Sequence, residues 1–364
     1  MHSKFAYVRF GTSFITSALL GRRSLSCLWE LTYRCNARCA ICAYWTRPSD
    51  PRDEMTLPQI QDGLERVCRH GCGFVNFTGG EPTLRHDLED IVAHASRLGM
   101  WTSLVTNGGM LTRERVRSLK RAGLDSLMVS LDSPEPATHD RIRGVPGLHR
   151  RVLENVRVIS EEFLTGLRMG GLMCVLAPHN IGDIRRIAAL ADELGVYVLF
   201  QPYHDRKTGS RAFCADISPS HVAAMQSLAR TYGHVLNSSH YLKGMESYAC
   251  GGVLPPCHAG RKYFSVDPFG YVHPCVDLPA VGHLLRDPID IVRGEAACRE
   301  IAKCRGCWYC FRGEADSSLT VAGWLDRIAL GIRVARRNLA RRPDLVPGGV
   351  AAPASGTQPW TPRL

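Results

Sequence analysis

Tyr33-Arg34-Cys35-Asn36-Ala37-Arg38-Cys39-Ala40-Ile41-Cys42-Ala43-Tyr44-Trp45 is the stretch on which the fold turns. Its cysteines stand as C-x-x-x-C-x-x-C, just after an apolar run at 28–31. Three thiolates cannot complete a four-iron cluster, which takes one cysteine per iron. A cubane held by them keeps one iron open to a ligand that is not protein. Cysteine-ligated clusters reach potentials as low as roughly −700 mV, so an open iron can bind a molecule and pass it one electron. Zinc is the competing reading of close cysteines, but structural zinc takes four protein ligands and no fourth lies nearby.

Outward from this loop, short apolar runs alternate with helical periodicity. Strands are predicted at 28–31, 73–78, 101–106, 126–131, 168–176 and 196–201, with helices at 57–69, 87–98, 112–122, 148–160 and 183–194 between them. Strict alternation of this kind predicts a parallel sheet covered on both faces. The polar motifs all come just after a strand: the cysteines, Gly79-Gly80-Glu81-Pro82, Thr106-Asn107-Gly108 and Ser130. Chemistry collects at the carboxyl ends of strands in such barrels.

The cysteine triplet resembles the radical S-adenosylmethionine (SAM) superfamily. Phe77-Thr78-Gly79-Gly80-Glu81-Pro82 is similar to the family's GGEP turn, and Ser130-Leu131-Asp132-Ser133 to its fourth-strand segment. Asp140-Arg141-Ile142-Arg143-Gly144 is similar to the segment that the family carries after that strand. The likeness runs from about residue 28 to 201. It implies an α/β fold, a partial (β/α)6 TIM-type barrel, with Cys35, Cys39 and Cys42 as ligands of a [4Fe-4S] cluster whose open iron takes SAM. By the same resemblance, Gly79, Gly80 and Glu81 receive the SAM amino group. Ser130 and Arg143 then meet its ribose or carboxylate, Asn107 touches cofactor or substrate, and Tyr44 lies against the adenine. The implied reaction is reductive cleavage of SAM, and then removal of a hydrogen atom from a substrate C–H bond.

A second cysteine region begins at Cys257 and reaches Cys275 through twelve residues, Gly270 and four more; Cys304, Cys307 and Cys310 come later as overlapping C-x-x-C pairs. The pattern is similar to the opening of SPASM and twitch domains, small C-terminal cysteine-rich modules that hold auxiliary clusters. It implies an auxiliary [4Fe-4S] cluster on Cys257, Cys275 and two of Cys304, Cys307 and Cys310. Cys250 is a further candidate, and zinc is again the alternative. The chain is short of the full pattern of such modules, which carries more cysteines downstream.

At 364 residues with 45% apolar content, the chain holds one large and one small folded unit. Its fifteen cysteines cluster with metal-type spacing behind no secretory signal, which points to a reduced cytoplasmic setting rather than a disulfide framework. The expected divisions are a basic apolar segment 1–24, the barrel 25–235, the cysteine-rich domain 250–316, an amphipathic helix 317–342 and a disordered tail 343–364. The net charge is +11, and residues 1–23 (+4) and 319–342 (+5) carry nine of those charges. A nearly neutral centre excludes a broad nucleic-acid footprint.

In the last helix Val321, Trp324, Leu325, Ile328, Ile332, Ala335 and Leu339 recur at helical spacing, with arginines elsewhere. Two outcomes stay open: a helix lying in a membrane interface, or one docking its apolar stripe on the barrel. The substrate is expected to be a peptide or a small sugar-like or aminocyclitol molecule, with a lipid or lipid-linked group as the alternative. A flavodoxin or ferredoxin is the electron donor the resemblance implies. The reading from a different class is an iron–sulfur or zinc scaffold without enzymatic activity.

Overall fold

A computed structural model describes residues 26–317 and 321–341. The segments expected at 1–24 and 343–364 lie outside the described residues. In chain order the barrel part runs β1 (Ser26–Thr32), α1 (Leu57–Arg69), β2 (Phe74–Gly79), α2 (Leu88–Arg97), β3 (Trp101–Thr106), α3 (Arg113–Ala122), β4 (Ser126–Ser130), α4 (Pro136–Arg143), α5 (Leu148–Val158), β5 (Met169–Leu176), α6 (Ile184–Glu193) and β6 (Tyr197–Pro202). Beyond β6 come α7 (Pro219–Tyr232), α8 (Ser239–Ala249), β7 (Tyr263–Val266), β8 (Tyr271–His273), β9 (Gly282–His283), α9 (Glu295–Ala302), α10 (Cys310–Ser317) and α11 (Val321–Ala340).

The sheet order is β6-β5-β4-β3-β2-β1-β7-β8-β9, and the six barrel strands are parallel throughout. Every residue of β4 is buried, as expected of a parallel strand paired on both edges inside the sheet. Local signals fix the helices. Thr112 accepts from the Arg115 amide at the start of α3, and Gly123, at φ +99°, ends it in the left-handed conformation. Trp29, Phe77, Phe200 and Phe264 are wholly buried and centre the core.

Two features add to the expectation. The cysteine-rich segment is joined to the barrel sheet: β7 pairs in parallel with β1, Ser26 to Tyr263 through Trp29 to Val266, and the β7–β8 hairpin widens the same sheet. The short helix α4, which carries Arg143, breaks the simple alternation after β4. Among the described residues no helix is long and apolar enough to cross a membrane.

Candidate active site

The cysteine loop leaves β1 and is laced to its neighbours by main-chain bonds. Arg38 and Ala40 donate to the carbonyls of Arg143 and Ile142 at 3.1 and 2.8 Å, tying the loop to the end of α4. Gly80 and Glu81 donate to Thr32 and Arg34 at 2.6 and 2.8 Å, tying it to the turn after β2. Here the glycines have a reason beyond a ligand. A Cβ on Gly79 would stand 2.3 Å from the Thr32 carbonyl oxygen, and one on Gly80 2.2 Å from that of Arg34. Two backbones touch where the turn meets the cysteine loop, and only glycine permits it.

Each of the three sulfurs accepts an N–H. Ala37 donates to Cys35 at 3.4 Å, Tyr44 to Cys42 at 3.5 Å, and the Arg143 guanidinium to Cys39 at 3.9 Å. Burial pushes the Cys35 thiol up to about 11 and raises Cys39 too, with Arg143 opposing the rise. Thiols so placed are neutral on their own, and a bound metal deprotonates them outright. Soft sulfurs that already receive N–H bonds are the donor set an iron–sulfur cluster uses, so these residues fit the cluster the family implies. No three His, Cys, Asp or Glu side chains among the described residues converge on one point as ligands of a single ion would. A cubane asks for something else: one thiolate per iron, spread around it.

The loop opens onto a cavity of about 250 Å³ at the carboxyl ends of the strands. Tyr44, Gly79, Gly80, Asn107, Ser130 and Arg143 all line it, so six of the seven expected SAM contacts share one chamber. Glu81 does not face it. Its fully buried carboxylate accepts from the Thr83 amide at 3.0 Å, the Thr83 and Thr106 hydroxyls at 2.5 and 2.6 Å and the Asn107 amide at 2.7 Å. That bonding makes it a clamp between the β2 and β3 loops. Asn107 in turn donates to Asn36 Oδ1 at 2.7 Å. Arg143 pairs with Asp132 at 2.7 Å; burial opposes its charge, but Asp132 and Cys39 hold its pKa above the ordinary value.

Tyr44 stacks on Tyr33 at 5.7 Å, and Arg47 and Lys207 lie 4.4 and 4.9 Å from its ring centroid. Lys207 also stands 5.2 Å from the ring of Tyr309 and 3.6 Å from Asp277. Burial alone would lower its ammonium, yet Tyr309, Asp277 and Glu30 raise it. Lys207, Trp45, Gln201 and Tyr309 line the cavity without having been expected there. They sit beyond any motif; the one available signal is position just after β1, just after β6, or beside Cys310.

Of the second set, Cys275 and Cys310 line the same cavity. Burial raises the thiols of Cys275 and Cys307, and nearby sulfurs add to it: Cys307 and Cys257 act on Cys275, and Cys257 on Cys307. Cys257 is 3.2 Å from the Tyr263 hydroxyl, and Arg312 reaches the Cys307 carbonyl at 2.6 Å. Cys310 faces elsewhere, 3.2 Å from Gln201 Oε1, with its thiol pushed up to about 12 by burial and then by Glu314. Cys304 is half-buried after α9, and Cys250 is exposed at the end of α8. None of the fifteen cysteines, all of them among the described residues, forms a disulfide.

With this geometry in place, the likenesses to known proteins are specific. Residues 29–191 match the radical SAM superfamily. The PqqA peptide cyclase of Bradyrhizobium diazoefficiens is 31% identical over 261 residues, 69% of this chain and 66% of that protein. The AdoMet-dependent heme synthase of Methanosarcina barkeri is 27% identical over 280 residues, 71% of this chain and 78% of that one. Streptococcus suis SuiB bound to S-adenosylmethionine superposes with a TM-score of 0.60 at 14% identity, over 83% of this chain and 76% of that one. SuiB bound to its precursor peptide SuiA gives 0.59 at 14%, over 81% and 71%. The chain belongs to the radical SAM superfamily. It is a radical SAM enzyme with a partial TIM-type barrel, and its cofactors are a [4Fe-4S] cluster and S-adenosylmethionine.

Proposed function

We propose that this enzyme abstracts a hydrogen atom from a peptide substrate, with an auxiliary cluster beside the active-site cavity. One observation carries the reading: Cys35, Cys39 and Cys42 line the same cavity as Cys275 and Cys310. What the radical-site cofactors supply when bound is one-electron cleavage of a sulfonium, which arms a carbon atom to take hydrogen from an unactivated C–H bond.

The chain's own residues do the positioning. Cys35, Cys39 and Cys42 are the cluster ligands, their side chains oriented by the three N–H donors. The Gly79–Gly80 backbone, Asn107, Ser130 and Arg143 present polar groups to SAM, while Tyr44 and Trp45 rim the chamber. Val105, Met173, Val175 and Phe264 make its walls apolar and keep water from a reactive centre. Glu81 and Asp132 touch neither cofactor in this scheme; they fix Asn107 and Arg143.

In the second set, Cys257, Cys275 and Cys307 hold the auxiliary cluster, with Cys304 as the fourth protein ligand. This makes 250–316 the auxiliary module of a barrel at 25–235. A peptide substrate is favoured by the relatives: one is named a peptide cyclase, and SuiB is known with a precursor peptide. A flavodoxin or ferredoxin delivers the electrons.

The test is anaerobic reconstitution and then reduction with dithionite. The expected result is about four irons for each cluster and 5′-deoxyadenosine from SAM, both lost from the radical site in Cys39→Ala. A scaffold would take up metal and give no 5′-deoxyadenosine. Incubation with peptides encoded beside the gene should give a mass change of one or more hydrogens. Turnover of a sugar or aminocyclitol instead would replace the peptide assignment.

A further inference from the structure

The outward face of α11 is at odds with ordinary packing. A helix on a globular surface buries its apolar stripe and leaves its charges in water. This one buries a mixed face, with Val334 in the core and Leu330 packed against it, and leaves other apolar side chains in water. Val334 and Asn338 are buried; the Asn338 amide donates to the carbonyls of Gly166 and Arg168 at 3.0 and 2.9 Å, and Tyr197 Oη donates to Asn338 Oδ1 at 3.0 Å. Arg333 donates to the Ala229 carbonyl at 3.0 Å, Arg337 pairs with Asp192 at 2.7 Å, and Arg341 donates to the Ser160 hydroxyl at 3.0 Å. The arginines anchor the helix.

What remains outside is apolar: Leu325, Ile328, Ile332 and Leu339 are 62%, 58%, 48% and 45% exposed. At about 100° per residue these four fall within a sector of roughly 60°, and exposed Arg336 falls about 20° beyond its edge, next to Leu325 in projection. Tyr232, 51% exposed at the end of α7, lies on the Arg333 flank of the helix, where the Arg333 side chain passes beside Gly233. The barrel needs none of these side chains.

We propose that this face of α11 is a membrane-docking surface for an anionic bilayer. Charge decides among the possible covers. The one acid of the helix, Asp326, turns inward and accepts from the Ser239 amide at 3.1 Å, so the charge beside the exposed stripe is that of Arg336. A second copy seated on the same stripe would bring like charges together. An anionic lipid surface receives the apolar side chains in its headgroup–acyl boundary and the Arg336 guanidinium at its phosphates. An exposed tyrosine at the rim suits the same boundary, apolar in its ring and polar at its tip. The inference is independent of what the active site does to its substrate.

The test is flotation of the reconstituted full-length chain with vesicles. The protein should float with mixed phosphatidylcholine–phosphatidylglycerol vesicles and stay behind with phosphatidylcholine alone. Salt should weaken the binding, since exposed charges are screened. Ile328→Gln combined with Ile332→Gln, and separately Arg336→Glu, should each lower partitioning at least about tenfold while SAM cleavage is unchanged. Wild-type partitioning in both variants overturns the proposal, as does a wild-type chain that ignores both vesicle types. A wild-type dimer that the double variant converts to monomer, without vesicles present, overturns it in favour of a second copy.

Discussion

Asp132 and Arg143 form a buried ion pair, 2.7 Å between carboxylate and guanidinium, and the same guanidinium reaches the Cys39 sulfur at 3.9 Å. The aspartate of the fourth-strand motif therefore acts on the cluster loop through the arginine. Its other oxygen accepts from the Val175 amide at 3.1 Å, which fixes the pair to β5 as well.

Breaking this pair from one side leaves a buried charge uncompensated. Asp132→Asn should cost about 3 kcal/mol of stability, read by anaerobic denaturant unfolding. Arg143→Gln should also make the cluster harder to reduce, because Cys39 loses a charged donor. A redox titration monitored by electron paramagnetic resonance checks this, and an unchanged potential would free Arg143 from the role.

The contact between the two backbones at Gly80 gives a second expectation. A Cβ there meets the Arg34 and Tyr33 carbonyl oxygens at 2.2 and 2.6 Å, and neither is a side chain that can swing away. Gly80→Ala should displace the cysteine loop and lose the radical-site iron, about four atoms per chain. Gly182→Ala, with nothing within 4 Å of the new methyl, should change stability by no more than about 0.5 kcal/mol. Iron analysis and thermal melting of the two variants separate them.

The auxiliary cysteines are not equivalent. Cys275 lies beside Cys257 and Cys307, whereas Cys310 is engaged with Gln201. Cys275→Ala should lose the auxiliary cluster's iron, again about four atoms, and Cys310→Ala should keep it. Equal losses would place Cys310 among the ligands.

A pH effect is expected far from the site, at Asp125 just before β4. Burial pushes this carboxyl up to about 6, against the Thr102 hydrogen bonds and the charge of Arg168. A carboxyl raised on folding stabilises the native state most below its unfolded value, about 3.9, and that contribution is lost as pH rises through about 6. The shift corresponds to roughly 3 kcal/mol. Asp125→Asn should therefore gain on the wild type by about that amount between about pH 4 and pH 7, read as a difference in unfolding free energies.

Much of the radical site was legible because its requirements are local. Three cysteines on one loop, two glycines where chains touch and a strict strand–helix rhythm all leave marks within a few residues of one another. What could not be read depends on partners distant in sequence. β7 has only four residues, and nothing in them says that they will lie along β1. Lys207 and Gln201 become cavity residues only once β6 stands beside the cysteine loop. Glu81 could be placed next to the cofactor by its motif, but its four internal donors come from Thr83 and from the β3 loop. The last helix is the sharpest case. Its periodicity marks an apolar stripe whichever way it faces, and the choice was made by Asn338 bonding to Tyr197 and to the carbonyls of residues 166 and 168.

The seam between β1 and β7 has a mechanical result. The strand that delivers the first cysteine loop is hydrogen-bonded, residue for residue, to the strand lying between Cys257 and Cys275. The two sulfur-bearing walls of the chamber are thus panels of one continuous plate, with no hinge line between them. The connecting stretch at 203–216 straps the plate across: the Tyr203 amide donates to Leu176 at the end of β5, the Lys207 carbonyl accepts from Ala43 of the cysteine loop, and the Lys207 ammonium stands 3.6 Å from Asp277 beyond β8.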